Sequence, residues 1–193
     1  MKINYIEDII IIDDLFTEEE ILFLNDWAYS LKCYQLTDDV TKRVSSFTAH
    51  LSIHDDIITD VMEKFKESFS FNIPNFDRVL INLFKQMDFC DTHRDAIGEF
   101  GISFIVYLNK KWELHWGGET YFSKNPDPNF TISVIPKPGR IVIAPTSLYH
   151  GSRPSTSLME ETGRITMVFQ YSGYEGDIDI KQILNTFMEN TDA

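Results

Sequence analysis

Apolar residues along this chain follow two rhythms. Residues 3 to 12, INYIEDIIII, are rich in β-branched side chains and predict a strand. At Thr17 the period lengthens: Ile21, Leu24, Trp27, Ala28 and Leu31 recur at helical spacing and would bury one face. Thr17 followed by Glu18, Glu19 and Glu20 forms a capping box, in which the threonine satisfies free amides and Glu20 reaches back. A second helix is expected from Asp55 or Asp56 to about residue 69, with Ile57, Ile58, Val61, Met62, Phe65 and Phe69 inward, and Pro74 closes that region. From residue 78 the period shortens, as VLINLF, ISFIVYLN, ETYF, TISVI, RIVIAP and RITMVFQY are short β-rich runs separated by turn residues. A last segment, DIDIKQILNTFMEN, predicts a third helix with Ile180, Ile183, Leu184 and Phe187 on one face.

Helices first and many short strands later predict an α+β, mainly β architecture, a double-stranded β-helix (jelly roll) with helices packed outside. We expect one domain over residues 1–193: a helical support region with an N-terminal strand (1–77), a jelly-roll core (78–171) and a C-terminal helix (172–193). The chain's 193 residues, 43% hydrophobic and 13% aromatic, suffice for one sizeable core. Thirty acidic against 17 basic residues give a net charge of −13, and no basic cluster exceeds the Lys110-Lys111 pair. Such a surface repels phosphate backbones, so the expected partner is a peptide or small molecule rather than nucleic acid. No apolar run approaches the ~20 residues needed to cross a bilayer, and the acidic start MKINYIEDIII does not read as a secretory signal, so a cytoplasmic protein is expected. Cys33 and Cys90 have no spacing that suggests a disulfide framework or a cysteine zinc site.

Candidate chemistry lies in the histidines. In an extended chain residues i and i+2 face one side, so His93 and Asp95 can converge on one point. His54-Asp55-Asp56 has the same spacing, but it falls where the second helix begins, and capping accounts for it. A second imidazole has to come from elsewhere in the chain. His150 fits: Pro138-Gly139 makes a turn, Arg140 to Ala144 a strand that Pro145 ends, and His150 sits on the connection leading out of the sheet. Two imidazoles and one carboxylate, with the remaining positions open, suit non-haem iron(II) and oxygen chemistry. Zinc competes for the same ligands, but the H-E-x-x-H signature of hydrolytic zinc sites is absent.

Taken in order, THRD at 92 to 95, VYLN at 106 to 109, WELHWGGETYF at 112 to 122, PKPGRIVIAP at 136 to 145, YHGS at 149 to 152 and GRITMVFQY at 163 to 171 resemble the iron(II)- and 2-oxoglutarate-dependent oxygenases, particularly the prolyl 4-hydroxylase-like branch. The likeness covers about residues 78 to 171; residues 1 to 77 carry no motif of the family. It implies His93, Asp95 and His150 as iron ligands and Arg164 as the partner of the distal carboxylate of 2-oxoglutarate, a role that suits a planar guanidinium. It implies a hydroxyl from Tyr107 on the same carboxylate, with Asn82 and Thr166 beside the cosubstrate. Trp116, Tyr149 and Arg153 are candidates for the substrate mouth. The implied cofactors are Fe(II), 2-oxoglutarate and dioxygen, with ascorbate as a stimulant.

Three departures from the family pattern stand out. The stretch from His150 to Arg164 is longer than usual, so SRPSTSLMEET reads as an insertion, and Arg153 is the alternative carboxylate partner. Phe84 stands where many members carry a tyrosine. Gly117 and Gly118 in WGGE read as a hairpin turn with positive φ, which makes His115 structural or at most part of the pocket wall. The implied reaction is hydroxylation of an unactivated C–H bond coupled to decarboxylation of 2-oxoglutarate to succinate. Asp95 favours hydroxylation, since related halogenases carry a small residue there. The leading substrate is a prolyl or other amino-acid or peptide group. The alternatives are a small-metabolite hydroxylase of the same superfamily and a non-catalytic jelly-roll protein that binds a metal or ligand.

Overall fold

Glu7 and Asp8 break the first apolar run in two. Glu7 adopts φ 53°, and the chain reverses there, so that β1 (Lys2–Ile6) pairs antiparallel with β2 (Ile9–Asp13), Ile6 opposite Ile9. The single strand expected over 3–12 is therefore a hairpin, because two consecutive charged residues between isoleucines act as a turn. A computed structural model describes residues 1–39, 44–69, 75–95, 101–126 and 129–173. The third helix expected near the C-terminus lies outside these residues from position 174 on, as does Pro74.

Helix α1 (Glu18–Ser30) begins at the capping box: Thr17 Oγ1 accepts from the Glu20 amide at 3.2 Å and Glu20 Oε2 accepts from the Thr17 amide at 2.7 Å. Helix α2 (Asp56–Ser68) begins at Asp55, whose Oδ1 accepts from the Ile57 amide, so capping does explain the second H-x-D triplet. Between the helices lie two strands that apolar periodicity does not reveal, β3 (Gln35–Asp39) and β4 (Val44–Leu51), so the first 77 residues are not only helical support.

The remaining strands are β5 (Arg78–Phe84), β6 (Cys90–His93), β7 (Ile102–Tyr107), β8 (Thr120–Ser123), β9 (Ile132–Val134), β10 (Ile141–Pro145), β11 (Tyr149–Ser152) and β12 (Arg164–Tyr171). The order β2-β10-β7-β12-β5-β4 makes one antiparallel sheet and β6-β11-β8-β9 the facing one, joined at the edge by a single β4–β6 bridge. The expected jelly roll with helices outside is thus the observed architecture. Alternation on the larger sheet sorts the side chains into two layers. Phe104, Val106, Ile165, Met167, Phe169 and Ile81 face outward, where Leu24 and Ala28 of α1 and Ile58, Val61 and Phe65 of α2 cover them. Ile105, Tyr107, Leu80, Val142 and Val168 face inward with Phe122 of the smaller sheet. The inward face also carries Asn82, Arg164, Thr166 and Gln170, so alternation turns polar where the two sheets part around a cavity.

Gly117 and Gly118 have φ of 69° and 73°, the left-handed region expected of them, but no hairpin forms there. They follow a 3-10 turn (Leu114–Trp116), and β7 and β8 lie in opposite sheets.

Candidate metal centre

His93 and His150 are direct cross-strand partners on β6 and β11. His150 therefore stands within a strand rather than on the connection where sequence alone puts it. Four polar or small residues, YHGS, show no apolar alternation, so β11 escapes a reading based on periodicity. The two rings lie 4.4 Å apart between centroids. Asp95, just past the end of β6, reaches both: His93 Nε2 is 3.6 Å from Oδ1 and His150 Nε2 is 3.5 Å from Oδ2. One ligand atom from each of the three residues lies within 4.8 Å of the others, close enough to share one ion.

Each ring is turned by the same device. His93 Nδ1 lies 2.9 Å from the Asp91 carbonyl and His150 Nδ1 lies 3.1 Å from the Leu148 carbonyl, in both cases two residues back. A carbonyl only accepts, so Nδ1 carries the proton and Nε2 is left as the metal-facing lone pair. Asp95 Oδ2 also accepts from Ser103 Oγ at 3.0 Å, which fixes the carboxylate from the larger sheet. Burial favours the neutral form of His93, but hydrogen bonds with Asp95, Cys90 and the Asp91 carbonyl outweigh it and push the pKa up to about 11. Burial likewise opposes ionisation of Asp95, yet the two imidazoles and Ser103 hold its carboxyl below the usual range. Burial dominates at His150 and lowers its pKa. A cation shared by the three residues would compete with protons for the His93 and His150 Nε2 atoms.

A cavity of about 440 Å³ runs inward from these three residues between the sheets. Arg164 lies at its inner end, 3% exposed. Its Nη1 donates to Ser152 Oγ at 3.0 Å and its Nη2 to Thr120 Oγ1 at 2.5 Å, while the Phe84 and Tyr107 rings each lie 5.2 Å from the guanidinium carbon. Arg164 Nε is buried and has no partner among the described residues. A buried guanidinium N–H without an acceptor is costly and marks a place for an anion. Tyr107 is fully buried and its hydroxyl is 2.6 Å from Thr120 Oγ1. Asn109 brackets the arginine: its Nδ2 donates to the Gly163 carbonyl at 2.7 Å and its Oδ1 accepts from the Ile165 amide at 2.9 Å. Asn82 and Thr166 line the wall between, and Asn82 Oδ1 accepts from Thr48 Oγ1 at 3.0 Å. These groups fit a metal bound to a dicarboxylate: three ligand atoms at one end, and at the other a buried cation with a free N–H.

Of the three candidates for the substrate mouth, two fall elsewhere. Trp116 is 1% exposed, packed edge-on against Trp112, and is not among the residues that line the cavity. Arg153 is exposed, lies over the Tyr121 ring and does not line the cavity either. Tyr149 sits beside the mouth through its ring, over which Arg94 lies at 4.7 Å. His115 is exposed beside Trp116, away from the cavity. Sequence reasoning missed Ser103, Thr120 and Ser152, three hydroxyls whose only signal is their partner across the sheet.

Comparison with known proteins agrees with this fold. Residues 79–171 match the family described as the 2OG-Fe(II) oxygenase superfamily. The fold is similar to a viral collagen prolyl hydroxylase of Paramecium bursaria Chlorella virus-1 in complex with 2-oxoglutarate (17% identity, 85% of this chain and 96% of that one, TM-score 0.64). It is also similar to a prolyl-4-hydroxylase of Pseudomonas putida (15%, 86% and 94%, TM-score 0.65). A third similar structure is a Trichoplax adhaerens prolyl hydroxylase in complex with a hypoxia inducible factor peptide fragment (13%, 86% and 84%, TM-score 0.63). No curated protein matches the sequence. Among the described residues no helix is long and apolar enough to cross a membrane. The superfamily match over residues 79–171 coincides with the jelly-roll core and its ordered motifs, and the solved prolyl hydroxylases share that fold.

Proposed function

We propose that the chain is a hydroxylase that uses His93, Asp95 and His150 to hold iron(II), binds 2-oxoglutarate through Arg164, and acts on an amino-acid or peptide substrate, with prolyl groups the leading class. The observation that carries this reading is the convergence of His93 Nε2, Asp95 and His150 Nε2 at one end of a cavity whose other end holds a buried arginine with a free N–H. Bound iron supplies activation of dioxygen: one oxygen atom goes to the substrate as hydroxyl, the other to 2-oxoglutarate, which leaves as succinate and carbon dioxide.

The chain's own residues bind and orient. Arg164 receives the distal carboxylate, and the Thr120 hydroxyl, shared between Arg164 and Tyr107, tunes that contact. Burial of Arg164 strengthens the pairing, because water does not compete for either charge there. Ser103 keeps Asp95 aimed between the rings. Asn82 and Thr166 line the cosubstrate's wall, and Tyr149 borders the mouth. With only three protein ligands, His93, Asp95 and His150 would leave a bound ion room for cosubstrate and dioxygen.

Anaerobic addition of iron(II) and 2-oxoglutarate should produce a weak visible charge-transfer band that His93→Ala abolishes. Succinate should form in air with peptide or amino-acid substrates. A protein that gives no band and no succinate would be the binding module instead.

A further inference from the structure

The mouth of the cavity carries cationic and polar side chains that the proposed iron and cosubstrate contacts do not use. Ser103, which holds Asp95, is the cross-strand partner of Gln170 on β12, and Gln170 is in turn the partner of Arg78 on β5. These three side chains stand on one rung and one face of the larger sheet, so Arg78 starts two strand spacings, roughly 10 Å, from the residue that fixes a metal ligand. His50 on β4 pairs with Leu80, which places it diagonally beside Arg78 on the same inward face. Arg94, between His93 and Asp95, reaches the mouth from the smaller sheet and rests over the Tyr149 ring. Arg78, His50, Arg94 and Gln170 all line the cavity.

In a chain of net charge −13 this is an unusual place for two arginines. Neither Arg78 nor Arg94 has an ion-pair partner among the described residues. Arg164 is the third arginine of the cavity and lies at the far end, level with Phe84 rather than with Arg78. The cavity is therefore cationic at both ends, with the metal ligands near the mouth. A dicarboxylate held by Arg164 accounts for the inner charge; at the outer end the one carboxylate among the described lining residues is Asp95, which is turned to the two histidines and leaves Arg78 and Arg94 without an acidic partner there.

We infer that Arg78, with Arg94, His50 and Gln170 around it, recognises a carboxylate on the substrate, so that this oxygenase acts on acid-bearing molecules: free amino acids or peptides with an acidic group beside the hydroxylated residue. The inference rests on the hydroxylase reading and narrows its substrate class. A guanidinium at the mouth orients such a substrate by two parallel hydrogen bonds and sets its C–H bond at a fixed reach from the metal ligands. Neutral prolyl peptides would lack that anchor.

The test uses the full chain with iron(II) and 2-oxoglutarate, and follows succinate release with matched pairs: the common amino acids against their amides, and N-acetyl Pro-Glu against N-acetyl Pro-Gln. Acids should stimulate release with KM lower than their amides by about tenfold or more, as a charge-assisted pair at a partly exposed site allows. Arg78→Gln should erase that preference by raising KM for the acids, and Arg78→Lys, which keeps charge but not the fork, should restore part of it. Rising ionic strength should narrow the acid-to-amide difference. Equal or greater response to the amides, or no response to any acid while the visible iron band forms, overturns the inference and leaves the hydroxylase reading standing. Loss of that band in Arg78→Gln assigns the residue to the fold and also overturns it. Absence of the band in the unmodified protein removes both.

Discussion

Arg164 and Arg153 were rival partners for the cosubstrate, and burial separates them. Arg164 is held at a strand start by Asn109 on either side, between two aromatic rings, with one N–H unmatched. Arg153 lies on the outside against Tyr121. Arg164→Ala should raise the 2-oxoglutarate requirement by about 10² or more, the scale of a lost buried charge-assisted pair, while Arg153→Ala should change it little. Titrating 2-oxoglutarate in a succinate assay gives the ranking, and the reverse order would reassign the role. At this scale the sequence was informative where a side chain has a local signature. His93 and Asp95 stand out at i and i+2, and Arg164 opens a β-rich run. Ser103, Thr120 and Ser152 have no such signature, because a hydroxyl becomes significant only through what lies across the sheet from it.

Pairing between elements decided what periodicity could and could not reveal. Strand β4 alternates as strictly as any other, but Ala49 faces the outer core while Ser46, Thr48 and His50 face the cavity. Its inner side is polar because that side lines a polar cavity, so a rule that looks for apolar residues inside passes over it. Strands β6 and β11 were obscured for a related reason: four residues each, they carry the facing pair His93 and His150 instead of core. At the far edge β2 and β10 are tied by Arg140, whose Nε and Nη2 donate to the two Asp13 carboxylate oxygens at 2.8 and 2.9 Å. Burial would raise the Asp13 pKa, but Arg140 and Lys137 outweigh it and hold it below its ordinary value. A group depressed in the folded state stabilises above its unfolded pKa, and that stabilisation disappears as pH falls through the folded value. Asp13→Asn should therefore cost about 1–3 kcal/mol at pH 7, and the difference from the unmodified protein should shrink below about pH 4. Urea unfolding at pH 7 and pH 3 measures both; a gap that stays constant would show that Asp13 acts by packing alone.

Across the whole molecule the helices and the larger sheet meet at a cluster of phenylalanines. Phe65 of α2 is fully buried, 5.3–6.2 Å from the ring centres of Phe16, Phe69, Phe104 and Phe169. Phe65→Ala should lower the free energy of unfolding by about 3–5 kcal/mol, against less than ~0.5 for the exposed Phe130→Ala, as denaturant curves would show. A small effect at Phe65 would mean that the helices contribute little to holding the sheet. The layer order, helices outside a jelly roll, was legible because apolar helix faces need a sheet to cover. The pairing of His93 with His150 was not, since it depends on register between strands far apart in sequence. That pairing has its own consequence. Each imidazole is aimed by the carbonyl two residues before it, Asp91 or Leu148, so the fold itself orients the ligand atoms into a prearranged cup. Such a cup follows the general affinity series for divalent metals, in which zinc and copper outrank iron(II). Zinc would therefore compete with iron(II) for these three residues.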